Sequence, residues 1–334
     1  MKICICGGGS LGHVCTGVLA SQEGVEVNIL SGHPDSWGSS IIVSDTIGKQ
    51  YVAHIGRVSS NPGEVVCGQD IILLCLPGYL IEKTLRDIGP FIGDAVVGTV
   101  VSSTGFFFFA HEILGEKSKL FGFQTVPFIS RVSEYGKTAN LLGYKSSLAV
   151  AIENVEDKED LRKMLEKLFI TPVSLLGSFY EVALSNSNPI LHTGRLYTMF
   201  HGRETELFDH NILFYKEWTD EASQLLIDMD SEFFSLLDLL GVHSLPTLLD
   251  YYESTDASSM TRKIQSIPAF QGITSPMAQK GRGWVADFGS RYFTEDFPYG
   301  LRWIRDLGRE HGFCFPKIEE VYSWGTDCIR NFSE

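Results

Sequence analysis

The chain opens with a short apolar run, Lys2–Cys6, followed at once by Gly7-Gly8-Gly9-Ser10-Leu11-Gly12-His13 and then by a helical pattern. No other stretch narrows the choice of fold so far. The pattern GxGxxG is met by Gly7, Gly9 and Gly12, and it sits between a predicted strand and a predicted helix, the context that gives it meaning. A glycine at the first position permits the tight turn, one at the second lets the backbone approach a pyrophosphate, and one at the third lets helix pack on strand. The unpaired N–H groups at the helix start then face the phosphates. The turn predicts a dinucleotide-binding domain in which Gly7, Gly9, Ser10, Leu11 and Gly12 hold the cofactor. A glycine-rich turn that binds nothing, and an FAD site, are the alternatives.

The rest of the first half alternates short β-rich runs with helical patterns. Val25–Leu30, Ile71–Leu76 and Val96–Val101 read as further strands, and Leu11–Ser21 and Tyr79–Ile88 as helices. Such alternation predicts an α/β architecture, an N-terminal Rossmann-type doubly wound sheet. The segment Ile41–Ile55, with its turn at Ile47-Gly48-Lys49-Gln50, breaks the rhythm and reads as an antiparallel hairpin inserted locally. Two more β-like stretches, Leu120–Thr125 and Ser147–Ile152, precede a helix over Lys158–Phe169 that carries Leu161, Met164, Leu165 and Leu168 on one face. The four phenylalanines Phe106–Phe109 read as core or pocket wall.

Past residue 180 the strand signal nearly vanishes, so a mainly α-helical second domain is expected over 181–334 after a first domain over 1–180. Its clearest element is the helix Thr219–Leu240. Thr219 suits the cap, Asp220 and Glu221 suit the positive first turn, and Gly241 terminates it.

Bulk properties exclude several classes of function. At 334 residues the chain suits two domains. A net charge of −14 with no Lys/Arg block repels a phosphate backbone, so nucleic acid is not expected as a partner. No run of 18 apolar residues suggests a membrane span, and Met1-Lys2 leads into an apolar run too short for a secretory signal, so a cytoplasmic protein is expected. The seven cysteines are scattered with no CxxC pair and read as free thiols, with no metal site.

The cofactor subtype is less clearly written. After Val25–Leu30 comes Ser31-Gly32-His33, where an acid for the ribose hydroxyls would be expected; Asp35 is the later candidate. No Lys or Arg stands between Ser31 and Ser40 to meet a 2′-phosphate, although Ser31, His33 and Ser36 could hydrogen-bond one. The reading is NAD or NADP, with NAD preferred and oligomeric state left open, a homodimer included.

Two stretches of the second half set ionisable groups among apolar or turn residues: Asn188-Pro189-Ile190-Leu191-His192-Thr193-Gly194-Arg195 and Arg291-Tyr292-Phe293-Thr294-Glu295-Asp296-Phe297-Pro298-Tyr299-Gly300-Leu301. With GGGSLGH at the start, these motifs in this order resemble the octopine/nopaline (opine) dehydrogenase family over nearly the whole chain. The segment Ile264–Gly272 resembles that family's linker into its C-terminal part.

The resemblance implies an NAD(P)H-dependent reductive condensation of a 2-oxo acid, commonly pyruvate, with the amino group of an amino acid. It implies that His192 and Asp296 form a catalytic dyad, that Arg291 grips a substrate carboxylate, and that Thr125 contacts substrate. The residue types suit those roles, since imidazole exchanges protons near neutrality, a carboxylate behind it fixes the tautomer, and a guanidinium binds carboxylate through two parallel bonds. Near Ser102-Ser103-Thr104 the family pattern would place a glutamine that this chain lacks. Read alone, His192 in an apolar helix is more often a satisfied core histidine, and Arg291 and Asp296 fit an ion pair or a helix cap. A 2-oxo acid reductase of the ketopantoate-reductase kind, needing no amine, and a non-catalytic dinucleotide sensor are the competing readings.

Overall fold

The computed structural model describes residues 1–332 and divides the chain into a unit over Met1–Ser185 and a second that begins at Asn186. In chain order the first unit contains β1 (Lys2–Cys6), α1 (Ser10–Ala20), β2 (Glu26–Leu30), β3 (Ser40–Asp45), β4 (Gln50–His54), β5 (Val58–Ser59) and α2 (Pro62–Val65). It continues with β6 (Ile71–Leu74), α3 (Gly78–Ile88), β7 (Val96–Thr99), α4 (Phe106–Leu114), β8 (Leu120–Phe123), β9 (Phe128–Glu134) and β10 (Thr138–Tyr144). It closes with β11 (Leu148–Glu153), α5 (Lys158–Phe169), β12 (Val173–Leu175) and α6 (Tyr180–Ala183). The sheet order is β12-β11-β8-β7-β6-β1-β2-β5, eight strands that are parallel throughout except where β8 meets β11. From β5 to β8 this is the doubly wound order, with the first strand central and the strand sequence reversing on either side of it.

The local reasons are visible in the side chains. β1 and β6 are buried along almost their whole length, as parallel strands covered on both faces must be. Asp157 caps α5 by accepting the Asp160 N–H at 2.9 Å. Phe106, Phe107 and Phe109 are all buried, and Gly105 takes a left-handed φ of 79° to start α4 at that point. Cys4, Cys6, Cys15 and Cys75 are buried free thiols.

The hairpin predicted over Ile41–Ile55 forms as β3 and β4, antiparallel from Ser40↔His54 to Ser44↔Gln50. It is more than a local insertion. β3 pairs in parallel with β10, and β10 with β9, giving a four-stranded sheet of order β4-β3-β10-β9. This second sheet covers α1: a Cβ on Gly17 would lie 2.3 Å from Val43, so the helix and sheet approach too closely for any side chain there. The first unit also runs five residues past the expected boundary at 180. α6 packs on the first unit's sheet through buried Val182 and Ala183.

The second unit is helical apart from one hairpin. It consists of α7 (Asn188–Phe200), α8 (Asp220–Leu239), α9 (Leu248–Tyr251), α10 (Ala257–Ser266), β13 (Met277–Lys280), β14 (Gly283–Ala286), α11 (Arg291–Thr294), a π-turn over Phe297–Leu301, α12 (Arg302–Glu310) and α13 (Pro316–Phe332). Thr219 caps α8 by accepting the Ala222 N–H at 3.2 Å, and Ala222, Leu226, Met229, Phe233, Leu236 and Leu237 form its buried stripe. α7 packs against that stripe so closely that a Cβ on Gly194 would lie 2.6 Å from Leu226. Among the described residues no helix is long and apolar enough to cross a membrane.

Candidate active site

The glycine turn of the first unit is built from backbone. Gly7 sits at φ +123°, where a Cβ would lie 2.6 Å from the Cys75 carbonyl oxygen at the end of β6. A Cβ on Gly12 would meet the Gly7 carbonyl oxygen at 2.0 Å, whereas one on Gly9 would meet nothing within 4 Å. So Gly7 and Gly12 are demanded by the protein's own packing, and Gly9 leaves open space in front of the start of α1. No side chain caps that helix end. Open space before uncapped N–H groups is the arrangement a pyrophosphate requires, and the residues present fit a nicotinamide dinucleotide.

His13, one turn into α1, secures the loop. Its Nδ1–H donates to the Gly9 carbonyl at 2.9 Å, and its Nε2 accepts the Gly136 N–H at 2.7 Å from the β9–β10 turn. The ring stacks on Trp37 at 4.3 Å and meets the edge of Tyr135 at 4.9 Å. Burial lowers its pKa, against the backbone of Gly9 and Gly8, so the imidazole is a neutral structural link at physiological pH. Ser10 likewise serves the scaffold, its Oγ accepting the Val132 N–H at 3.2 Å.

Beside the turn lies a cavity of about 520 Å³ lined by Gly7, Gly8, Ser31, His33, Lys83 and Tyr135 among others. Lys83 is paired there with Asp87. Ser31 is buried and its hydroxyl accepts from the His33 N–H and the Trp37 indole, both at 3.2 Å. Asp35, the sequence candidate for the ribose, is exposed in the short turn Pro34–Ser36 and is not among the cavity's lining residues. Thr125 is exposed in the bend between β8 and β9.

The second unit brings two distant motifs together. Pro189 opens α7, and Gly300 in the π-turn packs against it so tightly that a Cβ there would lie 2.5 Å from the proline ring. Phe297 anchors the same turn, stacked on Phe293 at 5.6 Å and fitted against Gly325. Seated in this way, the π-turn's first flanking residue, Asp296, meets His192 on α7: Nδ1 and Oδ2 are 2.8 Å apart across 104 residues of sequence. Both side chains are largely but not wholly buried, 12% and 19% exposed, which leaves the imidazole reachable. Single π-turns inserted beside helices are frequent at functional sites.

The other imidazole nitrogen, Nε2, lies 3.2 Å from the hydroxyl of Tyr215. The ring of Tyr292 is 4.7 Å from the imidazole and that of Phe214 5.7 Å. Burial, and secondarily the nearby acidic and phenolic groups, pushes the Tyr215 phenol up; Tyr292 is shifted the same way by burial and then by Asp296. Tyr215 and Tyr292 therefore remain protonated phenols wherever imidazole chemistry operates.

The two arginines divide unexpectedly. Arg195, at the end of the α7 motif, is 3% exposed and donates to the Phe214 carbonyl at 3.1 Å and the Glu217 carbonyl at 2.7 Å. Burial lowers its pKa to about 10, with Glu217 opposing, so it stays charged and fastens the segment that carries Tyr215. Arg291 is bound in a two-pronged pair to Glu295, Nε–Oε1 at 2.8 Å and Nη2–Oε2 at 2.9 Å, with its side chain 81% exposed. Here the structure shows the ion pair that the sequence allowed as one alternative. Tyr215 and the anchoring role of Arg195 were absent from the sequence reading. Phe214-Tyr215-Lys216-Glu217-Trp218 lies in a loop with no periodicity, and its aromatic density was the one available signal.

Residues 175–329 match the family model described as the α-helical domain of NAD/NADP octopine/nopaline dehydrogenase. The chain is 26% identical over 360 residues to octopine dehydrogenase of Mizuhopecten yessoensis, covering 98% of this chain and 90% of that protein. It is 27% identical over 355 residues to tauropine dehydrogenase of Arabella iricolor, covering 96% and 89%. A solved structure of octopine dehydrogenase with NADH and L-arginine superposes with a TM-score of 0.84 at 24% identity, covering 98% of this chain and 89% of that one, and shares the fold.

Proposed function

We propose that the chain is a member of the NAD/NADP octopine/nopaline dehydrogenase family, an oxidoreductase acting on CH–NH bonds, and that it joins a 2-oxo acid to the amino group of an amino acid. The observation that carries this reading is the His192–Asp296 pair at 2.8 Å, assembled by two motifs that serve no evident packing need for an ionisable pair. The overall reaction consumes the oxo acid, the amine, NAD(P)H and one proton, and yields the secondary amine, NAD(P)⁺ and water.

The bound nicotinamide would supply the hydride. The chain's own task is to handle the proton. Asp296 accepts from Nδ1–H, which fixes the tautomer, leaves Nε2 as the exchanging nitrogen, and stabilises the imidazolium. Nε2 takes a proton from the substrate's ammonium group and gives it to the oxo acid's oxygen, which leaves as water with a second proton from the attacking amine nitrogen. Arg291 is the proposed carboxylate grip. To serve, it exchanges the Glu295 carboxylate for that of the substrate, an exchange open to it because its side chain is 81% exposed to solvent. Thr125, exposed between β8 and β9, is a proposed substrate contact.

The preference for NAD rests on the lack of Lys or Arg between Ser31 and Ser40, and Asp35, the candidate for the ribose, stands outside the cavity beside the turn. That cavity's lining of Ser31, His33 and paired Lys83 suits a 2′-phosphate as well as a hydroxyl, so both cofactors enter the test. The test is oxidation of NADH and of NADPH with pyruvate and other 2-oxo acids, each with and without a panel of amino acids. Oxidation that requires both partners and yields a secondary amine is expected. Oxidation independent of any amine would assign a 2-oxo acid reductase instead, and tight cofactor binding with no oxidation under any pairing would assign a sensor.

A further inference from the structure

In the His192–Asp296 pair the carboxylate only accepts, so Nδ1 carries the proton and the neutral ring presents a bare lone pair at Nε2. The Tyr215 hydroxyl, 3.2 Å away, has one proton to donate, and with the ring in that tautomer Nε2 is its acceptor. We propose that Tyr215 is a positioning residue for His192, holding Nε2 in register until substrate takes that place. The inference rests on the reading of His192 as the proton-handling group.

Tyr215 is rigid in a way that a passing contact is not. Its ring is stacked on Phe270 at 4.1 Å and 19°, and on Trp218 at 5.9 Å and 4°. Arg195, itself buried, clamps the carbonyls of Phe214 and Glu217 on either side of it. A hydroxyl fixed from three directions orients the imidazole about an axis that Asp296 alone leaves free to swing. It also serves both protonation states. When Nε2 gains a proton, the imidazolium N–H donates and the phenol oxygen accepts, so the ring is held in either protonation state until substrate arrives. The titratable groups facing the imidazole are Asp296 and Tyr292 from the π-turn and α11, and Tyr215 from the loop before α8. Burial keeps the Tyr215 phenol protonated throughout, so it acts by orientation and not by its own ionisation.

Tyr215→Phe in the full chain isolates the hydroxyl, because phenylalanine keeps the stack on Trp218 and Phe270. Two measurements apply: imidazole-nitrogen NMR of His192, assigned by comparison with His192→Ala, and steady-state kinetics with the best oxo acid and amine. The expected results are a downfield move of the neutral Nε2 resonance, a fall in kcat of about tenfold, the size of one lost hydrogen bond, and an unchanged KM for the dinucleotide. An Nε2 resonance at its wild-type position, or a shifted resonance with unchanged kcat, overturns the proposal. The NMR arm requires no turnover. Should the wild-type protein oxidise no cofactor with any amine while the resonance still moves, the functional reading fails and the Tyr215–His192 link stands.

Discussion

The glycine turn and the His192–Asp296 pair are both candidate sites, but they are encoded differently. The turn is contiguous: Gly7, Gly9 and Gly12 lie within one strand–helix junction, and each is required by backbone geometry or by open space. The pair spans 104 residues and exists because Gly300 is small enough to let the π-turn settle on Pro189. A site made of backbone can be read from local spacing, because spacing is its mechanism. A site made of side chains depends on packing that no single segment contains. The expected division of labour follows: the first unit supplies cofactor binding, the second the proton chemistry, and substitutions in one should leave the other's readout intact.

The largest separation is expected from Asp296→Asn. The amide keeps the shape but removes the charge that stabilises imidazolium and no longer dictates the tautomer, so kcat falls by about two to four orders of magnitude. Dinucleotide affinity, measured by fluorescence titration, stays at its wild-type value. A loss of cofactor binding in this variant would break the division. Gly12→Ala is the converse test. Its methyl would lie 2.0 Å from the Gly7 carbonyl oxygen, a backbone atom that cannot yield without opening the turn. Dinucleotide affinity is expected to drop by about 10- to 100-fold, in line with roughly 1–3 kcal/mol for overpacking. Cofactor binding undiminished by that methyl would show that the turn is not the cradle.

A smaller effect sharpens the comparison by showing a buried acid with no catalytic task. Asp230 on α8 is 7% exposed and accepts the Leu248 N–H at 2.8 Å. Burial raises its pKa from 3.8 to about 6, against that hydrogen bond. An acid whose folded pKa is raised holds more protons folded than unfolded between those values, so stability falls as pH climbs from about 4 to 6 and the full penalty is present above. Asp230→Asn retains an acceptor and removes the charge. Urea unfolding should show it more stable at pH 7 by on the order of 1–2 kcal/mol, with a flatter pH dependence through the same window. Turnover should be unaffected; a large loss of kcat would give Asp230 a role outside the present account.

Legibility in the sequence followed the same division. The β1–α1 turn, α3, α5 and α8 were anticipated nearly to the residue because their signals are local: an apolar period, a cap such as Thr219, a terminating glycine. The second sheet was half seen. Ile41–Ile55 declared itself as a hairpin, but β9 and β10 did not, and nothing local states that β10 joins β3 in parallel. That pairing is paid for by covering α1, a tertiary effect. In the second unit, the motifs around His192 and Asp296 drew attention through resemblance, and packing through Pro189 and Gly300 gives their meeting a physical cause. Arg195 and Arg291 look alike as letters. Only burial separates the one that fastens a loop from the one held by a neighbouring carboxylate at the surface.

The most direct test of the division between cofactor cradle and proton-handling pair is His192→Ala, with turnover and dinucleotide affinity measured on the same preparation. The account predicts that amine-dependent NAD(P)H oxidation falls by at least about three orders of magnitude while the dinucleotide Kd stays within about twofold of wild type. Turnover that survives the substitution, or a Kd that weakens in step with it, would contradict the account.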